Sequence, residues 1–149
     1  MVHGPLRDTT GFLLARTCKL LRVRVHALLD DIGLYRGQQF FLRALWEQEG
    51  ITHSELAHRI NVQPATVTNA LKRMESAGLV ERRQDARDHR VSRVYLTDAG
   101  REIRGAVEST WATLEEQAFA GFSDEERASL RRALRRILAN LEGDQKPGF

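Results

Sequence analysis

Cysteine is nearly absent: Cys18 is the only one in 149 residues. A single thiol closes no internal disulfide and builds no multi-thiolate zinc site. The histidines are His3, His26, His53, His58 and His89, and no pair has the spacing of a helical metal site. There is no glycine-rich phosphate loop, no G-x-S-x-G and no nucleophile and base in a known spacing. These gaps argue against an enzyme and give no metal or cofactor to expect. Apolar runs stay well short of the roughly 20 residues that cross a membrane. The start, MVHGPLRDTTGF, lacks the basic-then-apolar order of a secretion signal. The default expectation is therefore the cytoplasm, with no membrane partner. Proline is scarce (Pro5, Pro64, Pro147), and neither repeats nor low-complexity segments occur.

What is present fits one domain over residues 1–149, with frayed ends at 1–8 and 143–149. Hydrophobic residues make up 42% and charged residues 29%, with a net charge of +3. So mild an excess means that any nucleic-acid surface must come from local clustering. From Thr10 to Ile32, the residues Leu14, Cys18, Leu21, Val25, Leu28 and Ile32 step by four and three. That seam, widened by Leu13 and Leu20, predicts a long helix packing beyond its own subunit. Gly33 and Gly37 interrupt it. QQFFLRALWEQEG predicts a second helix with Phe41, Leu42 and Leu45 inward, stopping near Gly50.

Next, Thr52 and Glu55 have the T-x-x-E spacing of a capping box, with Ile51 and Leu56 as a staple, which predicts a short helix over 53–60. Asn61 suits a tight left-handed connection, and Pro64 suits a first helical turn. PATVTNALKRMESAGL then predicts a helix to Gly78, with Val67, Leu71 and Met74 inward. LVERR and VSRVYL have strand character and are joined by QDARDH, which predicts a β-hairpin. Thr97 is placed to cap a long helix marked by Ile103, Val107, Trp111, Leu114 and Ala118. SDEE (123–126) forms a second capping box before a last helix carrying Leu130, Leu134, Ile137 and Leu141 on one face. The arginines of that helix (Arg127, Arg131, Arg132, Arg135, Arg136) are read as a solvated face rather than a DNA patch.

Short helix, tight turn, second helix and hairpin together make a winged helix-turn-helix. The fold class is mainly α with a small β-hairpin wing. The second helix of such a module enters the major groove. Its early residues here are Gln63, Ala65, Thr66, Thr68 and Asn69. Asn and Gln can bond adenine, and threonine suits the thymine methyl. Lys72 and Arg73 suit phosphate, and Thr52, His53 and Ser54 could hold a phosphate at the preceding helix start. In RRQDARDHRVSRV, residues 82–94, five arginines surround Asp85 and Asp88. A wing arginine is drawn into a narrow minor groove. An aspartate two residues away can hold a guanidinium before DNA arrives. The expectation is that Asp85 orients Arg87, the minor-groove anchor, and that Asp88 braces Arg90 or a strand arginine.

With these motifs the chain resembles the MarR family of bacterial regulators. The resemblance is carried by LRALWEQEGITHSELAHRINVQPATVTNALKRMESAGLVERRQDARDHRVSRVYLTDAG. Asp85, Arg87, Asp88 and Arg90 form its D-x-R-D-x-R wing, and the likeness extends over about residues 10–141. Gln63 departs from the serine-like cap that the family often has before the proline. The resemblance implies dimerisation helices at 10–34 and 98–142 flanking a DNA-binding lobe at 36–97, a homodimer and a palindromic operator. It further implies repression, often relieved by a small ligand in a crevice where the dimer helices meet that lobe. His26, Tyr35, Trp46 and Trp111 are the pocket candidates, for a small aromatic or anionic effector. Core packing is the plainer role for most of Phe40, Phe41, Trp46 and Trp111. One branch of the family senses peroxides through a cysteine of the first helix. Cys18 lies in the apolar seam, about two turns from that position, and is read as a buried, inert thiol. The resulting expectation is a sequence-specific transcriptional regulator binding double-stranded DNA. The alternatives are a sequence-tolerant architectural DNA binder and an interaction module that reuses the fold without DNA.

Overall fold

The computed structural model describes residues 5–35 and 37–143. A 3-10 turn, Leu6–Asp8, precedes α1 (Thr10–Asp30) and α2 (Gln38–Glu47). Then come β1 (Ile51–Thr52), α3 (His53–Ile60), α4 (Pro64–Ser76), β2 (Val80–Gln84) and β3 (Ser92–Leu96). The chain ends with α5 (Asp98–Ala118) and α6 (Asp124–Gly143). The expected frayed ends fall mostly outside the described residues, and His3 lies there too. The chain divides into two compact units, residues 1–114 and 115–149.

Local chemistry sets most boundaries of the first unit. Thr9 caps α1 by accepting the Phe12 amide at 3.3 Å. Gly33, at φ +81°, turns the chain so that the Leu34 amide reaches back to the Leu29 carbonyl at 3.0 Å. α4 closes in the same way through Gly78 (φ +74°), with the Leu79 amide on the Met74 carbonyl. The Thr52–Glu55 capping box is complete in both directions. Asn61 takes the left-handed conformation (φ 54°) that lets α3 give way to α4 in three residues.

The sheet differs from expectation by one strand. Its order is β1-β3-β2, all antiparallel, with Ile51 opposite Val94 and Arg83 opposite Arg93. β1 is two residues long, too short to show an alternating pattern, and so the hairpin alone was readable. The core of this unit holds Leu29, Leu34, Leu42, Leu45, Leu56, Val67, Leu71, Met74 and Val94, all essentially without exposed surface. They come from α1, the α1–α2 connection (Leu34), α2, α3, α4 and β3, so that α4 is fixed on a rigid base.

The α1 seam is only partly covered within this chain. Val25 and Leu29 are buried, and Leu21, Leu28 and Ile32 pack partly on the core. Cys18 is exposed rather than buried, and Leu13, Leu20 and Val23 are more than half exposed. The apolar spacing was real, but only its C-terminal half meets the core of this chain. In the second unit no residue of α6 is buried. Leu130, Leu134 and Ile137 are half-buried, while Leu138 and Leu141 are exposed. The Ser123–Glu126 capping box forms. Phe119 and Phe122 meet edge to face, and Arg127 lies over the Phe119 ring.

Candidate nucleic-acid interface

α4 presents a polar outer face. Ala65, Thr66, Asn69, Lys72 and Arg73 are exposed, opposite the buried Val67, Leu71 and Met74. Gln63 stands at the N-cap with no side-chain capping bond, which leaves its amide free to reach outward. Thr68 is half-buried, and its hydroxyl donates to the Pro64 carbonyl at 3.2 Å. Of the expected base-reading residues it is the least available.

The start of α3 is less open than the sequence suggested. Ser54 is exposed. The Thr52 oxygen accepts the Glu55 amide at 3.2 Å, while the Thr52 amide donates to Glu55 Oε2 at 2.8 Å. His53 is half-buried, with Nε2 enclosed and without a hydrogen-bond partner among the described residues. Burial first, then the positive charge of Arg82, lower its pKa from the usual histidine value.

In the wing, Asp85 Oδ1 accepts the amides of Arg87 (2.8 Å) and Asp88 (3.2 Å). Its Oδ2 accepts Arg93 Nε at 2.6 Å, and Arg93 also donates to the Gly50 carbonyl at 2.8 Å. Asp85 therefore shapes the tip through the Arg87 backbone, and the guanidinium it holds belongs to Arg93. That corrects the expected Asp85–Arg87 side-chain pair. Separation decides it, because antiparallel pairing brings Arg93 back beside Asp85 across the hairpin. The Arg93 hydrogen bond, followed by the two amides, pulls the Asp85 carboxyl down to about 2. Asp88 accepts both the amide (3.0 Å) and Nε (3.2 Å) of Arg90, as expected. Arg90 remains highly exposed, so this is a weak brace. Arg87 is exposed, and its guanidinium has no carboxylate partner among the described residues. Arg83, opposite Arg93, stacks on Tyr95 at 4.3 Å and pairs with Glu81, which relieves the like-charge contact.

Two of the four pocket candidates come together. Trp46 and Trp111 line a cleft of about 370 Å³ with Gln39, Phe40, Arg43, Glu47, Arg104, Val107 and Glu108. Trp111 Nε1 donates to Gln39 Oε1 at 2.9 Å, and Trp46 Nε1 donates to the Gly100 carbonyl at 2.8 Å. Arg104 lies 5.9 Å from the Trp46 ring and pairs with Glu108 at 2.8 Å. Tyr35 lies elsewhere, highly exposed, beside Arg73 and Lys72. His26 is half-buried on α1 and lines none of these cavities. Phe40 and Trp111 are partly exposed rather than core residues, whereas Phe41 is buried. The missed lining had a signal. Arg104, Val107, Glu108 and Trp111 follow i, i+3, i+4, i+7 along α5, one face of a helix. Among the described residues no cluster of His, Cys, Asp or Glu could hold a metal ion, and no helix is long and apolar enough to cross a membrane.

Comparison with known proteins gives the same architecture. The MarR family model matches residues 34–92. The transcriptional regulator AdcR of Streptococcus pneumoniae is 34% identical over 117 residues, 76% of this chain and 79% of that protein. The HTH-type transcriptional repressor Rv2887 of Mycobacterium tuberculosis is 29% identical over 134 residues, 90% of this chain and 94% of that protein. The crystal structure of MarR superposes with a TM-score of 0.76 at 28% identity, covering 87% of this chain and 94% of that one. The chain belongs to the MarR family of winged-helix, DNA-binding transcriptional regulators.

Proposed function

We propose that this regulator is a homodimeric, cytoplasmic repressor that occupies a palindromic operator and leaves it when a small ligand binds. The observation that carries the reading is the pairing of two available surfaces. α4 and its N-cap expose Gln63, Ala65, Thr66 and Asn69, and the wing exposes Arg87, whose guanidinium has no carboxylate partner among the described residues. Gln63, Thr66 and Asn69 are suited to base edges, with Lys72, Arg73 and Ser54 on phosphate and Arg87 in the minor groove. Thr52, His53 and Thr68 contribute less, since each is engaged or turned inward. Asp85 and Arg90 act on the shape and charge of the wing. The exposed Leu13, Leu20 and Val23 of α1 and Leu138 and Leu141 of α6 support a second copy as the cover for the terminal helices. The cleft at Trp46 and Trp111 has the size of a small-molecule site. Its aromatic walls and the cations Arg43 and Arg104 suit a small aromatic anion.

Selection of bound DNA from a random library at about 150 mM salt tests the reading. The expected result is a near-palindrome with half-sites about 10 base pairs apart. Strong, salt-sensitive binding without enrichment would overturn it in favour of an architectural DNA binder. Quenching of tryptophan fluorescence by small aromatic acids, with loss of quenching in Trp111→Leu, tests the cleft.

A further inference from the structure

Two side chains outside the expected contact surface, Glu75 and Arg82, meet where α4 and β2 join, close to His53 at the start of α3. Arg82 of β2 grips Glu75 of α4 with both prongs of its fork: Nε to Oε1 at 2.9 Å and Nη2 to Oε2 at 2.7 Å. A bidentate pair fixes angle as well as distance. It ties the last turn of the recognition helix to the first half of the wing. His53, the first residue of α3, is near enough for the charges of both to act on it, and its Nε2 is enclosed with no hydrogen-bond partner among the described residues. A buried polar atom without a partner is uncommon in a folded chain and calls for a reason.

We propose that Glu75 and Arg82 form the joint that holds the wing at its working angle to the recognition helix, and that a proton taken up by His53 loosens that joint. The neutral imidazole fits beside the bridge. An imidazolium there would face Arg82 as a like charge and would compete for the Glu75 carboxylate. Releasing Arg82 from Glu75 is the simplest relief, and Arg82 carries β2 with it.

Of the other charges on the packed elements, Lys72 and Arg73 lie on the exposed outer face of α4, and Glu81 and Arg83 of β2 pair with each other. Glu55 of α3 accepts the Thr52 amide, and Arg59 bonds Gln48. Arg93, the charged residue of β3, is held by Asp85 and Gly50. Arg43 and Glu47 of α2 pair with each other. Glu75 and Arg82 are the charges that bear on His53.

The sign follows from linkage. Burial and Arg82 lower the His53 pKa below the usual 6.5 in the closed joint. An opened, solvated His53 would return towards 6.5 and bind the proton more tightly. Falling pH therefore favours the open joint, and operator affinity drops below about pH 6.5. A His53 that touched DNA phosphate directly would behave in the opposite way, because its protonation would strengthen binding.

The DNA arm of the test rests on the operator reading; the second arm does not. In the first, operator affinity is measured from pH 7.5 to 5.5 for the intact protein and for His53→Gln, and the ratio cancels the exposed His58 and His89. The affinity of the intact protein relative to the variant should fall severalfold on acidification. Glu75→Gln should lose about tenfold at pH 7.5, with the pH-dependent ratio abolished in that background. A ratio that is flat or rises on acidification overturns the proposal. In the second arm, NMR follows the His53 ring and the amides of residues 80–91 through the same range without DNA. His53 should titrate below 6.5, and the wing amides should move with its midpoint in the intact protein but not in Glu75→Gln. A midpoint at or above 6.5, or wing amides indifferent to it, overturns the proposal. Failure to bind any DNA would sink the operator reading and leave the second arm to decide.

Discussion

At the scale of single residues, the wing separates two jobs that its sequence runs together. Asp85 builds the tip and Arg87 is left to reach outward, because Asp85 is already filled by two amides and Arg93. Arg87→Ala should therefore leave folding untouched. It should weaken operator binding by about tenfold to a hundredfold, the ~1–3 kcal/mol of a lost specific contact. Fluorescence anisotropy reads this directly, and an unchanged binding curve would remove Arg87 from the interface. Asp85 predicts a pH effect of definite sign. Its carboxyl lies near 2 in the fold against an ordinary 3.8. The stabilisation it gives is thus fully present above about 3.8 and is lost as pH falls towards 2. Hydrogen exchange at the Arg87 and Asp88 amides should stay slow at pH 5 and quicken, beyond its intrinsic rate, only in that acid window. Asp85→Asn should show the quickened exchange already at pH 5.

At the scale of elements, what was legible was local. The boxes at Thr52–Glu55 and Ser123–Glu126 each close within three residues, and the sequence shows both partners at once. The same is true of Asn61 and Pro64, which place the turn between α3 and α4. Contacts that cross the chain left no such trace. Arg93 reaches Gly50, Trp46 reaches Gly100 and Trp111 reaches Gln39 over separations of 43, 54 and 72 residues. Gly100 is the sharpest case. It reads as an ordinary helix residue, yet a Cβ there would lie 2.1 Å from the Leu79 carbonyl oxygen. α5 can pass so close to the start of β2 only because that position lacks a side chain. Gly100→Ala should destabilise the fold by about 1–3 kcal/mol through overpacking. Calorimetry should show a midpoint lower by several degrees, whereas Gly105→Ala, with open space at its Cβ, should not lower it.

At the scale of the whole molecule, the sequence marked α1 and α6 as apolar but did not say what covers them. Periodicity reports that a face is apolar and is silent on whether the cover is the same chain or another. That is why the place of Cys18 in the seam points to burial while the thiol is exposed in the single chain. If a second copy supplies the cover, sedimentation should give twice the 17.0 kDa chain mass. Leu138→Glu with Leu141→Glu should then shift the species towards the monomer and weaken operator binding together. A wild-type monomer at micromolar concentration would remove the dimer. For a dimer, Lys72→Ala should reduce the slope of log affinity against log salt by about 2, one phosphate from each half-site.

The sheet order carries one more consequence. β3 is the middle strand, and it runs into α5 with only Thr97 between. The wing is therefore an arm hinged on a helix. From Leu96 to Val91 that arm extends roughly 17 Å, at about 3.3 Å per residue. A turn of about 5° at the hinge displaces its far end by about 1.5 Å, which is half the length of a hydrogen bond. The cleft at Trp111 and Arg104 is cut into the same helix, so on the proposed reading a ligand there that tilted α5 slightly would have mechanical advantage over Arg87, and release of DNA would need no large rearrangement.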